Sequence, residues 1–111
     1  MVNLNLNCNN SYLINNLPNS IKELKLNRYF DLELNNLPNS IEKIIFHKYC
    51  DYNKELNCLP NFVELITLPN TYNKQIKNIP KKLKKIICHE DYDYDYIYIK
   101  DFNNLLIETY Y

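Results

Sequence analysis

The residues of this chain best suited to hold a metal or act as a nucleophile are its four cysteines and two histidines. His47-x-x-Cys50 and the adjacent pair Cys88-His89 could together supply four ligands of the kind zinc takes. Their placement argues against one shared ion. In an extended strand, Cys88 and His89 point to opposite faces, so both cannot reach the same metal. No metal and no cofactor is therefore expected. Cys8, Cys50, Cys58 and Cys88 are expected as free thiols in a reducing compartment, where cysteine behaves as a small apolar residue. Ser20 and Ser40 recur at equivalent positions of a repeat, which marks them as architecture. Both histidines lack an implied nucleophile beside them and the acids are scattered, so no enzyme is expected. Glycine is absent, which removes the P-loop, the GxGxxG turn and the nucleophile elbow at once.

Two charged stretches could carry binding. Lys74, Lys77, Lys81, Lys82, Lys84 and Lys85 form a basic cluster, with Glu90, Asp91, Asp93 and Asp95 close behind it. Lys+Arg and Asp+Glu balance at 13 each, so the cluster reads as a solvated face and nucleic acid is not an expected partner. The second stretch, residues 91–99, alternates Asp with Tyr and then Ile with Tyr. Strict alternation puts Tyr92, Tyr94, Tyr96 and Tyr98 on one side of an extended arm. Its carboxylates lack the glycine and terminal glutamate of a calcium loop, and tyrosine is enriched at interfaces. An arm that caps the chain's own end or pairs with another chain is expected.

A repeat must position these residues. Leu17-Pro18, Leu37-Pro38, Leu59-Pro60 and Ile79-Pro80 are spaced 20, 22 and 20 residues apart. Apolar lanes accompany each mark. Ile14, Leu34, Leu56 and Ile76 precede it; Ile21, Ile41, Val63 and Leu83 follow; then come Leu24-x-Leu26, Ile44-x-Phe46, Ile66-x-Leu68 and Ile86-x-Cys88. The last lanes alternate with period two, as short half-buried strands do. Proline, lacking an N–H, marks the approach to each strand rather than its middle. Phe30, Tyr52 and Tyr72 form an aromatic lane, each followed by Asp31, Asn53 or Asn73, and Asn103 extends that polar row as a ladder. Turns without glycine are expected to place Asn15, Asn16, Asn35, Asn36 and Asn57 in left-handed backbone. No unit has room for a long helix, and a single unit cannot bury its own apolar side. The expected fold is mainly β: a short open solenoid of about four units with a parallel sheet, in one domain over residues 1–111. Leu4 and Leu6 end a truncated first unit, about ten extra residues (89–99) interrupt the sequence, and a degenerate last unit spans 100–111 with Phe102 and Leu106 at its start.

The unit Phe/Tyr-Asn-x-x-Leu/Ile-x-x-Leu/Ile-Pro-x-x-Ile-x-x-Leu-x-Leu resembles the FNIP repeat, itself similar to leucine-rich repeats. Tyr52 to Pro60 and Tyr72 to Pro80 carry the pattern best, and the resemblance covers roughly residues 10–107. Such repeats are typical of social amoebae and of large DNA viruses that infect them, which agrees with a composition of twenty asparagines and no glycine. The resemblance implies an interaction scaffold and brings no catalytic residues. A cytoplasmic location, host cytoplasm for a viral protein, is expected, because residues 1–10 show no secretory leader and no apolar run spans a bilayer.

Residues between the buried strand positions form outward rows: Glu23, Lys43, Leu65 and Lys85; Lys25, Ile45, Thr67 and Ile87; Asn27, His47, Pro69 and His89. Stacked strands lie about 5 Å apart, so the rows make one continuous surface. Ile45, Leu65 and Ile87 give it an apolar strip, the usual mark of a partner site. The expected function is a protein-binding scaffold whose contacts are Lys25, Ile45, Thr67, Ile87, Leu65, His47, His89 and the tyrosines 92, 94, 96 and 98. The alternative is a structural, self-assembling component, for example of a viral particle, with one end of the solenoid completed by a second copy or a partner.

Overall fold

The computed structural model describes residues 3–6, 10–93 and 105–111. The chain winds as a β-solenoid around one six-stranded, all-parallel sheet. Its strands are β1 (Asn3–Leu6), β2 (Glu23–Leu26), β3 (Lys43–Phe46), β4 (Leu65–Thr67), β5 (Lys85–His89) and β6 (Leu106–Tyr110), ordered in space as in sequence. One strand per coil, hydrogen-bonded to its neighbour, is how a unit too small for its own core buries its apolar side. The register follows the repeat. Leu4, Leu24, Ile44, Ile66, Ile86 and Ile107 align across the sheet. The inward strand residues from Leu24 to Cys88 are all 2% exposed or less, each Leu or Ile contributing about 1.5–3 kcal/mol.

Two corners per coil are closed by i→i+3 backbone bonds. At the first, the carbonyls of Pro18, Pro38, Pro60 and Pro80 accept from Ile21, Ile41, Val63 and Leu83 at 3.1–3.4 Å. At the second, Asn27, His47, Pro69 and His89 accept from Phe30, Cys50, Tyr72 and Tyr92 at 3.0–3.2 Å. Both corners deliver an apolar side chain back into the core. No described residue has a positive φ, which corrects the expectation of left-handed asparagines. An i→i+3 turn needs only ordinary backbone, so asparagine serves here through its side chain. The single described helix, α1 (Ser11–Asn15), starts at Asn10, whose side chain accepts from Leu13 N–H at 3.0 Å.

The 22-residue spacing has a definite location. Phe30, Cys50, Tyr72 and Tyr92 each lie four residues beyond the last inward strand residue, and Phe30, Tyr52 and Tyr72 each lie seven before the Leu/Ile of the next Leu/Ile-Pro mark. In the third coil these two positions are Cys50 and Tyr52, so the surplus pair sits at this corner. Both are fully buried, with Tyr52 5.8 Å from Phe30 and 4.7 Å from Phe46 between ring centres.

The C-terminal part differs from the expected division. Leu106 is not in the lane of Leu56 and Ile76; it opens β6 on the outward row, opposite Lys85. Tyr92 occupies the aromatic lane, 6% exposed and stacked on Tyr72 at 6.1 Å. From Tyr92 to Leu106 the chain advances 14 residues, against 13 from Tyr72 to Lys85, so no ten-residue insertion interrupts the repeat. Phe102 and Asn103 lie outside the described residues.

Candidate interaction surface

The outward face of the sheet is built by strand alternation. One row runs Glu23, Lys43, Leu65, Lys85 and Leu106; the next runs Lys25, Ile45, Thr67, Ile87 and Glu108. Lys25 and Lys43 are exposed, whereas Ile45, Leu65, Thr67 and Ile87 are each partly buried. The apolar strip is therefore narrower than a fully open one. Ion pairs lie at its two ends: Lys25 to Glu23 within β2 at 3.8 Å, and Lys85 of β5 to Glu108 of β6 at 3.1 Å. Lys43, between them, makes no ion pair among the described residues.

The third row bends around the corner. His47 is exposed and its Nδ1 accepts from Tyr49 N–H at 3.1 Å, while Cys50 turns inward and donates its thiol to the Phe30 carbonyl at 3.4 Å. His89 is partly buried, with Nδ1 accepting from Asp91 N–H at 3.1 Å. Pro69, expected in this outward row, is buried instead. Lacking an N–H, it ends β4 after three residues, and the chain turns inward there.

Sequence reasoning missed Tyr110. From β6 its side chain reaches back across β5: the hydroxyl donates to the Leu68 carbonyl at 2.7 Å, the ring meets His89 edge-on at 5.6 Å, and Lys48 Nζ lies 5.4 Å from its centre. With Phe46, Lys48 and Thr67 it lines a notch of about 190 Å³. The phase of Ile107-x-Thr109 against Ile86-x-Cys88 was the available signal, weakened by threonine in an apolar lane.

Tyr92 is corrected from contact residue to core residue. Its hydroxyl donates to the Lys74 carbonyl at 2.8 Å, as that of Tyr72 does to Lys54 at 2.9 Å. Burying a tyrosine this way costs no hydrogen bond. Tyr94, Tyr96 and Tyr98 lie outside the described residues.

The opposite flank carries the polar ladder. Asn73 N–H donates to Asn53 Oδ1 at 3.2 Å, Lys77 N–H to Asn57 Oδ1 at 3.0 Å, and Asn36 Nδ2 to Asn15 Oδ1 at 3.2 Å. A shallow recess of about 400 Å³ opens there, lined in part by Glu33, Glu55, Lys54 and Lys74. Among the described residues no group of three or more His, Cys, Asp or Glu side chains could hold a metal ion, and no helix is long and apolar enough to cross a membrane. Burial pushes the Cys50 and Cys88 thiols up, which disfavours the reactive thiolate.

A solenoid of stacked coils with a smooth outward sheet defines a repeat protein, and the family comparison agrees. The family model described as FNIP Repeat matches residues 9–49, which supports the resemblance carried by the repeat. The units from Tyr52 to Pro60 and Tyr72 to Pro80 lie beyond that match. No curated protein and no solved structure matches the chain significantly.

Proposed function

We propose that this chain is a non-enzymatic protein-interaction scaffold that binds through the outward face of its sheet. The observation that carries the reading is the aligned strip of Ile45, Thr67 and Ile87, with Leu65 beside it, facing away from the core between two ion-paired margins. An apolar centre with a polar rim is the anatomy of a protein interface. Lys25 and His47 border the strip, and Tyr94, Tyr96 and Tyr98 belong to the reading as a second contact element. The test compares partner capture from the native host by the wild type and by the double variant Ile45→Asp, Ile87→Asp, with melting curves alongside. Lost capture with an unchanged melt supports the reading; unchanged capture overturns it.

A second reading, self-assembly, is favoured by the two terminal strands, each with one neighbour in the sheet, and by Leu106, 53% exposed on β6. Light scattering over a dilution series separates the two: a mass constant at every concentration counts against assembly.

A further inference from the structure

We propose that the sheet face takes an extended protein segment carrying a carboxylate, seated on Lys43, with apolar side chains over Ile45, Thr67 and Ile87. This rests on the reading of that face as a protein-binding surface and adds the chemistry of its partner.

The charge distribution selects this occupant. The outward rows carry three lysines and two glutamates. Glu23 lies 3.8 Å from Lys25 on β2, and Glu108 on β6 pairs with Lys85 on β5 at 3.1 Å. Lys43 stands between Glu23 and Leu65 in the register and two residues from Ile45 on the same face, and makes no ion pair among the described residues. A partner that covers Ile45 and Leu65 also strips water from the Lys43 ammonium. A desolvated cation without a counter-charge opposes binding strongly, and among the described residues the two acids of these rows, Glu23 and Glu108, already pair with Lys25 and Lys85, which leaves one lysine in surplus. The partner must bring it. A carboxylate meets the requirement and leaves the neighbouring apolar surface to apolar side chains. A polyanion such as RNA fits poorly, since its further phosphates would run onto Glu23 or Glu108.

Spacing sets the register of the segment. Lys43 and Ile45 are about 6.6 Å apart along their strand, and Ile87 lies two coils, about 10 Å, beyond Ile45. An extended segment advances about 3.3 Å per residue, so the acidic side chain and the first apolar one are separated by two or three positions.

The experiment selects a displayed library of random peptides on the purified full chain, then measures the enriched peptides on Lys43→Glu, Ile45→Asp and, as a remote charge control, Lys82→Glu. Melting curves confirm that each variant is folded. The expected result is enrichment of Asp or Glu two or three positions from an aliphatic or aromatic residue. Affinity should fall at least tenfold on Lys43→Glu and stay within twofold on Lys82→Glu, and a selection on Lys43→Glu should favour Lys or Arg instead. Acidic peptides that bind Lys43→Glu as well as the wild type overturn the proposal. Binding lost on Ile45→Asp without any acidic preference overturns the carboxylate and leaves the face reading standing. No enrichment, or binding insensitive to both variants, overturns both.

Discussion

The hydroxyl of Tyr110 donates to the carbonyl oxygen of Leu68 at 2.7 Å, tying the last strand to a coil two places back in the stack. Pro69 makes this possible. It cuts β4 short at Thr67, so the Leu68 carbonyl lies beyond the regular ladder where a side chain can reach it. Neighbouring coils in a solenoid otherwise hold only each other, and the terminal coil is the first to fray.

Tyr110→Phe removes that bond and keeps the ring. The expected loss is about 1 kcal/mol, or roughly 4–8 °C in melting temperature for a domain near this size. Amide exchange at 106–110 should quicken more than at 43–46. Equal acceleration in both places would show that the contact is not a local tie.

Tyr52 and Tyr72 share a lane and differ in one atom's surroundings. The Tyr72 hydroxyl reaches Lys54; the Tyr52 hydroxyl is buried without a partner among the described residues, in a residue 0% exposed. An unpaired buried hydroxyl costs about 1–3 kcal/mol. Tyr52→Phe is thus expected to raise the melting temperature while Tyr72→Phe lowers it. Urea titrations of the two variants give the signs directly, and a loss of stability in both would contradict the assignment.

The asparagine excess divides into working and idle positions. Asn57 accepts from Lys77 N–H and donates to Glu55 at 3.0 Å, whereas exposed Asn39 makes no side-chain bond among the described residues. Asn57→Ala should cost about 0.5–1.5 kcal/mol, and Asn39→Ala should stay within about 0.5 kcal/mol of wild type. Chemical denaturation of both variants checks the contrast.

Stability should fall in alkali. Burial, and secondarily the charge of Cys88, pushes the Tyr110 hydroxyl up to about 12; burial raises Tyr52 and Tyr72 as well. The folded state thereby holds these protons where an unfolded tyrosine releases them near pH 10. The contribution of Tyr110 is intact below about pH 10 and is lost as pH rises through about 12, and those of Tyr52 and Tyr72 are lost at still higher pH. Melting temperatures measured from pH 8 to 12 should drop across that interval, less steeply for Tyr110→Phe.

Much of this architecture was legible because apolar residues recur in lanes, and a lane that alternates along a strand must face one shared interior. The side each residue of β2 to β5 faces followed from Leu24-x-Leu26 and its equivalents. How far Ile45 and Ile87 are exposed did not, because neighbouring coils set it. The Asp-Tyr alternation misled: it imitates a strand, yet residues 89–92 close a turn and bring Tyr92 into the core. Tyrosine can enter because Lys74 offers a carbonyl. Thr109 hid β6 in the same way, a polar residue standing in the inward lane.

Since the two surplus residues of the coil are absorbed at the corner that holds Cys50 and Tyr52, Ile44 and Ile66 still meet as partners. Circumference can grow in this family of shapes while the stacked ladder keeps its phase. The family match stops at residue 49, one step before that enlargement. A coil can thus gain residues at its corner while the outward sheet face stays continuous from β3 to β4.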